Sequence, residues 1–148
     1  MVWGCMASKG IGKLHIIKGK MDRFMYKSIL TKNIKASAIK LGIEDVFIFQ
    51  QDNDPKHTSQ YIKDYFIKKD VNLMEWASQS PDLNPIEHLW DYVKCEVRKR
   101  KPKNLKELEE FIIEIWKKIN SELCKRLVRT MNDHVTCVLK AKGRHIPY

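Results

Sequence analysis

The chain has 148 residues, 43% of them hydrophobic and four of them tryptophan; this is one domain by length, with enough apolar mass for a core and too much for a disordered segment. Lys and Arg number 28 against 18 Asp and Glu, a formal net charge of +10, as expected of a protein that meets a polyanion, nucleic acid ahead of a membrane surface. No apolar run approaches the ~20 residues of a spanning helix, and the start lacks a secretory signal core.

Val2 to Ala7 and Leu14 to Ile17 flank a turn-like Ser8-Lys9-Gly10-Ile11-Gly12, which predicts an antiparallel hairpin. Met21, Met25, Ile29, Leu30, Ile34 and Leu41 then recur at helical spacing up to a terminating Gly42. Val46 to Gln51 is a short β-branched and aromatic run between Gly42 and Pro55, read as a buried strand that delivers Asp52 to its C-terminal end. Thr58 or Ser59 can cap a second helix carrying Tyr61, Ile62, Tyr65 and Phe66. Val71 to Trp76 alternates as a final strand, and Ser78 to Pro85 is a turn-rich loop. Asn84 as cap and Pro85 at the first helical position open a helix with the stripe Ile86, Leu89, Trp90, Val93, Val97. Two amphipathic helices follow, Asn104 to about Ile119 and Ser121 to about Lys142. The order is strand, strand, helix, strand, helix, strand, then helices, an α/β pattern.

The cysteines, Cys5, Cys95, Cys124 and Cys137, are far apart, with no Cys-x-x-Cys pair and no His at zinc spacing. They read as buried thiols in a reducing compartment rather than a structural zinc site.

Asp52 ends one strand and Glu87 opens the helix after the next, so in a sheet-and-helix layer both can face one cleft. Two carboxylates converging at a sheet edge suit hard divalent cations, which take carboxylate oxygens with water and phosphate. Each has a plainer explanation: an Asx turn at Asp52 or Asp54 before Pro55, and a capping box Asn84-x-x-Glu87. Asn104-x-x-Glu107 has the same form and reads as capping. Lys56 and His57 beside Asp52 can contact phosphate or line a solvated loop. Arg98, Lys99, Arg100 and Lys101, running on through Pro102 to Lys103, can serve as a phosphate patch or nuclear-import signal, or form a solvated helix end. His88 reads as a surface residue, His134 as a core-edge histidine, and Trp90 and Trp116 as core.

The stretches Gln50-Gln51-Asp52-Asn53-Asp54-Pro55-Lys56-His57-Thr58 and Ser80-Pro81-Asp82-Leu83-Asn84-Pro85-Ile86-Glu87-His88-Leu89-Trp90 closely resemble the two downstream motifs of Tc/mariner superfamily transposases. The interval between Asp52 and Glu87 also agrees with that family's acidic residues. Val2-Trp3-Gly4-Cys5 and Asp22-Arg23-Phe24-Met25-Tyr26 are similar to its opening strand and first helix. The resemblance implies a ribonuclease H-like fold lacking its first strand, with a core over about 1–101 and a C-terminal helical part over about 104–142. It implies metal-dependent DNA cleavage and strand transfer, a nuclear setting, transposon-end and target DNA as partners, a possible homodimer, and Asp52 and Glu87 as ligands in a two-metal Mg2+ or Mn2+ site. It also places the family's first catalytic Asp on a strand upstream of Val2. Asp22 cannot replace it, falling in a first helical turn where the helix dipole explains a carboxylate. The 148 residues are therefore expected to be catalytically incomplete alone, with direct pairing of the Val2–Ala7 and Val46–Gln51 strands or a loosely packed hairpin. A non-enzymatic, sequence-independent nucleic-acid-binding protein is the alternative.

Overall fold

The computed structural model describes residues 1–76, 80 and 83–141. Its elements are the strands β1 (Val2–Ala7) and β2 (Gly10–Ile16) and the helices α1 (Arg23–Leu41), α2 (Pro55–Thr58), α3 (Gln60–Lys68), α4 (Pro85–Arg100), α5 (Leu105–Lys118) and α6 (Ser121–Lys140). They fall into two compact units, Met1–Gly4 with Gly12–Gln79, and Cys5–Ile11 with Ser80–Tyr148. The expected turn residues Ser78, Gln79, Pro81 and Asp82, and the expected helix end at Lys142, lie outside the described residues.

The hairpin turns more tightly than the sequence suggests. Only Ser8 and Lys9 form the turn, and Gly10 to Gly12 belong to β2. Gly10 has φ 142°, a conformation that side-chain-bearing residues rarely adopt.

In the first unit α1 supplies the core. Asp22 accepts the Met25 N–H at 2.8 Å as N-cap. At the other end Gly42 takes φ 60°, its N–H reaching Ile39 O while Ile43 N–H reaches Ala38 O, a Schellman closure that only a left-handed residue permits. Between the caps Tyr26, Leu30 and Ile34, spaced by four, pack with Ile62, Tyr65 and Phe66 of α3, and Trp3, Met21, Phe47, Phe49 and Val71 close around them. Burying each large aliphatic side chain contributes about 1.5–3 kcal/mol. Lys13 N–H donates to the buried Ser37 Oγ at 2.9 Å, tying β2 to α1.

The expected buried strand over Val46–Gln51 is reduced to one parallel bridge, Phe49 with Leu73, closed by Phe49 N–H to Asn72 O (2.7 Å) and Met74 N–H to Phe49 O (2.9 Å). Val46 and Ile48 are exposed while Phe47 and Phe49 pack inward. The two-residue alternation is real, but only one face is covered. Val71–Trp76 shares this reduction, having the same single bridge. Nor does β1 pair with 46–51, since the sheet of the described residues holds β1 and β2 alone. Pairing β1 to this segment would need its backbone turned toward the hairpin, whereas its bonds go to 72–74.

The helix expected after Thr58 or Ser59 is α3, with Ser59 at its N-cap position but no side-chain cap bond, and a short further helix, α2, precedes it from Pro55. In the second unit Leu89, Val93 and Val97 of α4 are buried, as are Ile115 and Trp116 of α5 and Cys124 of α6. Trp90 stacks on Trp116 at 5.0 Å. Asn104 Oδ1 accepts Glu107 N–H (2.9 Å), and Glu107 Oε2 accepts Lys103 N–H in return (2.8 Å). Asn120 caps α6 through Leu123 N–H. All four cysteines are free thiols, but of the expected buried set only Cys124 is fully buried; Cys95 and Cys137 are exposed because they fall off the apolar stripes of α4 and α6. Among the described residues no helix is long and apolar enough to cross a membrane.

Candidate functional site

Asp52 sits in the loop between the Phe49 bridge and α2, in the first unit. Its Oδ1 accepts from Asp54 N–H at 3.2 Å, the expected Asx-type turn, and also meets His57 Nδ1 at 2.5 Å. Oδ2 has no hydrogen bond among the described residues, and the side chain is 57% exposed. The turn and an outward-facing ligand oxygen therefore coexist on one carboxylate. A half-exposed oxygen of this kind is a hard donor suited to Mg2+ or Mn2+.

The groups behind Asp52 are well ordered by their contacts. His57, with a side chain only 14% exposed, stacks on Tyr26 at 4.0 Å and 29°. Tyr26 donates its hydroxyl to Gln51 Oε1 at 2.7 Å, and Gln51 Nε2 donates to His57 O at 3.0 Å. Burial pushes the Tyr26 phenol far above its ordinary value, with the Asp52 and Asp54 charges adding to the rise, so it remains a donor. A carboxylate facing Nδ1 makes that nitrogen the protonated one in the neutral ring. Nε2 is buried and without a partner among the described residues.

Asp54 caps α2, accepting from Lys56 N–H (2.9 Å) and pairing with Lys56 Nζ (2.6 Å). Desolvation raises its carboxyl, but the Lys56 ammonium and N–H together outweigh this and hold it below the usual carboxylate range. Lys56 thus faces Asp54 and His57 faces Asp52. Asn53 Nδ2 reaches Trp76 O at 2.9 Å and fastens the loop to the segment after the bridge.

Glu87 belongs to the second unit, exposed in the first turn of α4. Asn84 makes no side-chain cap bond there; the Glu87 N–H goes to Asn84 O at 3.0 Å. The Asn cap made at Asn104 is thus not made at Asn84. In the basic run, Arg98, Lys99 and Arg100 form the last turn of α4, and Lys101 closes it in the left-handed region at φ 51°. Lys99 pairs with Glu96 (2.5 Å), and Arg100 pairs with Glu114 (2.7 Å) while lying over the Phe111 ring. His88 and His134 approach ring to ring at 5.2 Å.

The model of the DDE superfamily endonuclease matches residues 2–109. The chain belongs to this family. Its relatives place it on the Tc/mariner branch: it is 40% identical to the transposable element Tcb2 transposase of Caenorhabditis briggsae over 97% of its length. It is 37% identical to the Tc1 transposase of Caenorhabditis elegans over 100%. It spans about half of these relatives, 52% and 54% of their lengths. Among solved structures, the Mos1 transposase catalytic domain with raltegravir and Mg superposes at TM-score 0.88 and 17% identity, covering 99% of this chain and 76% of that one. The Mos1 strand transfer complex gives 0.86 at 17%, over 99% and 43%. This DDE family member has the ribonuclease H-like fold of those catalytic domains.

Sequence reading found Asp52 but not Tyr26 or Gln51 behind it. Tyr26 stands in the Asp22-to-Tyr26 stretch that resembles the family's first helix, yet nothing local links it to a loop 25 residues on. Gln51 adjoins Asp52, and adjacency was its only signal.

Proposed function

We propose that this DDE family member takes part in DNA transposition, in which a metal-activated water cleaves a DNA strand and the freed 3′-hydroxyl attacks target DNA. In this reading Asp52 and Glu87 are metal ligands and DNA is the partner. The observation that carries it is Asp52 itself, held on Oδ1 and open on Oδ2 within a chain of this family. Among its structural neighbours, one Mos1 catalytic domain is described with Mg and others as transposon-end and strand transfer complexes. Mg2+ or Mn2+, when bound, would supply charge neutralisation at the phosphodiester and a water of lowered pKa. The chain's own part is to present Asp52 Oδ2 from an ordered loop and Glu87 from the α4 N-terminus, where the helix dipole favours the ionised carboxylate.

Surplus Lys and Arg would neutralise phosphates, the engaged Arg100 and Lys99 contributing less than Lys101 and Lys103. The same run is proposed as a nuclear-import signal, its exposed Lys101 and Lys103 supporting it; nuclear exclusion of a tagged chain with intact run would refute that. Homodimerisation is part of this reading, supported by the exposed apolar Val135 and Leu139 of α6, and sedimentation would test it.

The test of the chemistry is nicking of supercoiled DNA with Mg2+ or Mn2+. The 148 residues joined to an upstream segment bearing the family's first Asp are expected to nick, and Asp52→Asn and Glu87→Gln to abolish it. The 148 residues by themselves are expected to bind without nicking. Metal-dependent nicking that survives either substitution overturns the ligand assignment.

A further inference from the structure

Asp52 is exposed, and an exposed aspartate samples several rotamers unless something holds it. Here one oxygen is held by an imidazole that is itself fixed on three sides. The ring plane lies against Tyr26, a side chain only 1% exposed. The His57 carbonyl is anchored by Gln51 Nε2, and the His57 N–H by Asp54 O at 2.8 Å. Gln51 cannot flip its amide, because the His57 carbonyl only accepts and requires Nε2 on its side, which leaves Oε1 to the Tyr26 hydroxyl. The buried phenol stays protonated, so this orientation does not switch with pH over the ordinary range. The chain of constraint runs from the core residue Tyr26 through Gln51 to His57 and ends on Asp52 Oδ1.

We infer that His57 is a positioning residue for Asp52: its Nδ1–H occupies Oδ1, pins the carboxylate rotamer, and leaves Oδ2 as the oxygen offered to a divalent cation. This rests on the reading of Asp52 as a metal ligand. It gives His57 a role distinct from phosphate contact, since a nitrogen pointing at a carboxylate is not offered to an anion. With the proton on Nδ1, the buried Nε2 is the bare nitrogen of the ring and makes no hydrogen bond among the described residues. Groups that orient a metal ligand typically change metal affinity by 10–100-fold when removed.

The experiment is a Mn2+ titration of the 148-residue chain followed by electron paramagnetic resonance, with thermal melting of each variant alongside. His57→Phe keeps a ring to stack on Tyr26 but has no donor; it is expected to bind Mn2+ at least about tenfold more weakly with little change in melting. His57→Asn places an amide N–H near the Nδ1 position and is expected to restore most of the affinity. Wild-type affinity in His57→Phe overturns the inference, as does equal weakening in both variants, which would assign the effect to the ring. Asp52→Asn separates the two levels. If it binds Mn2+ as the wild type does, or if neither binds, the ligand reading falls and this inference with it. If Asp52→Asn alone loses Mn2+, only the role of His57 falls. Should His57→Phe fail to fold, His57→Leu carries the test: it is smaller and has no donor, and unchanged Mn2+ affinity there overturns the inference.

Discussion

At Asp54 the carboxyl is pulled in opposite directions, and the balance sets how the loop responds to acid. Desolvation raises its pKa, yet the two bonds from Lys56 leave it lowered. A folded value below the unfolded one, about 3.9 for Asp, means the stabilisation is fully present above that pH. It is lost as pH falls through the lower folded value. Lys56→Met is expected to remove the ammonium contact and leave the backbone N–H bond to oppose desolvation, so Asp54 titrates at higher pH and the α2 turn loosens earlier on acidification. Carboxyl NMR titration with amide exchange over residues 54–58 reads both, and an unmoved Asp54 titration would contradict the assignment. His57 is the neighbouring case: its sequence position suggested a phosphate contact or a solvated loop, and the structure sets its ring against the Asp52 carboxylate instead.

Helices start where side chains satisfy their first N–H groups, and the three later helices do this to different degrees. At α5 Asn104 takes the Glu107 N–H, and the Glu107 carboxylate reaches back one residue further to the Lys103 N–H. Asn104→Ala is expected to cost about 1 kcal/mol, seen as a lowered urea midpoint at unchanged slope. A loss below about 0.3 kcal/mol, within the range of an ordinary surface substitution, would show that α5 is held by its packed face instead. That face is Ile115, Trp116 and Ile119, while Leu105 at the first position stays exposed. At α4 the same motif form lacks its Asn side-chain bond, so one sequence interval yields an Asn cap at α5 and none at α4. Spacing alone could not separate them, because a capping box needs one rotamer as well as a sequence interval.

Taken as a whole, the chain carries a net charge of +10, a long-range property independent of any single contact. Under the proposed reading, DNA binding by these 148 residues is expected to be weak, sequence-independent and steep in salt, log K falling linearly with log salt as phosphate contacts release counterions. Fluorescence anisotropy on unrelated duplexes from about 50 to 200 mM salt reads the slope. Strong preference for one sequence at physiological salt, or a flat salt response, would sink it. The pairs Lys99–Glu96, Arg100–Glu114 and Lys94–Asp91 are exposed on one or both sides, so they reduce the charge offered to DNA without adding much stability.

What the sequence by itself determined lies where the physics is local. Apolar residues at three- and four-residue intervals marked α1, α3, α4, α5 and α6. Gly42 closed α1, Asn104 capped α5, and two long motifs identified the branch of the family through Asp52 and Glu87. Tertiary structure decided everything that depends on partners far along the chain. Val46–Gln51 has the composition of a buried strand, but a strand needs a run of ladder bonds to a neighbour, and a buried one needs cover on both faces. Here the backbone bonds go only to 72–74, and Val46 stays 78% exposed. Cys95 and Cys124 are equally apolar by type, and only the orientation of each on its helix put one in solvent and one in the core. The support of Asp52 is of the same kind: Tyr26 reaches it because α1 packs beside the loop, and contact between residues so distant in sequence is created by chain folding, which no local pattern encodes.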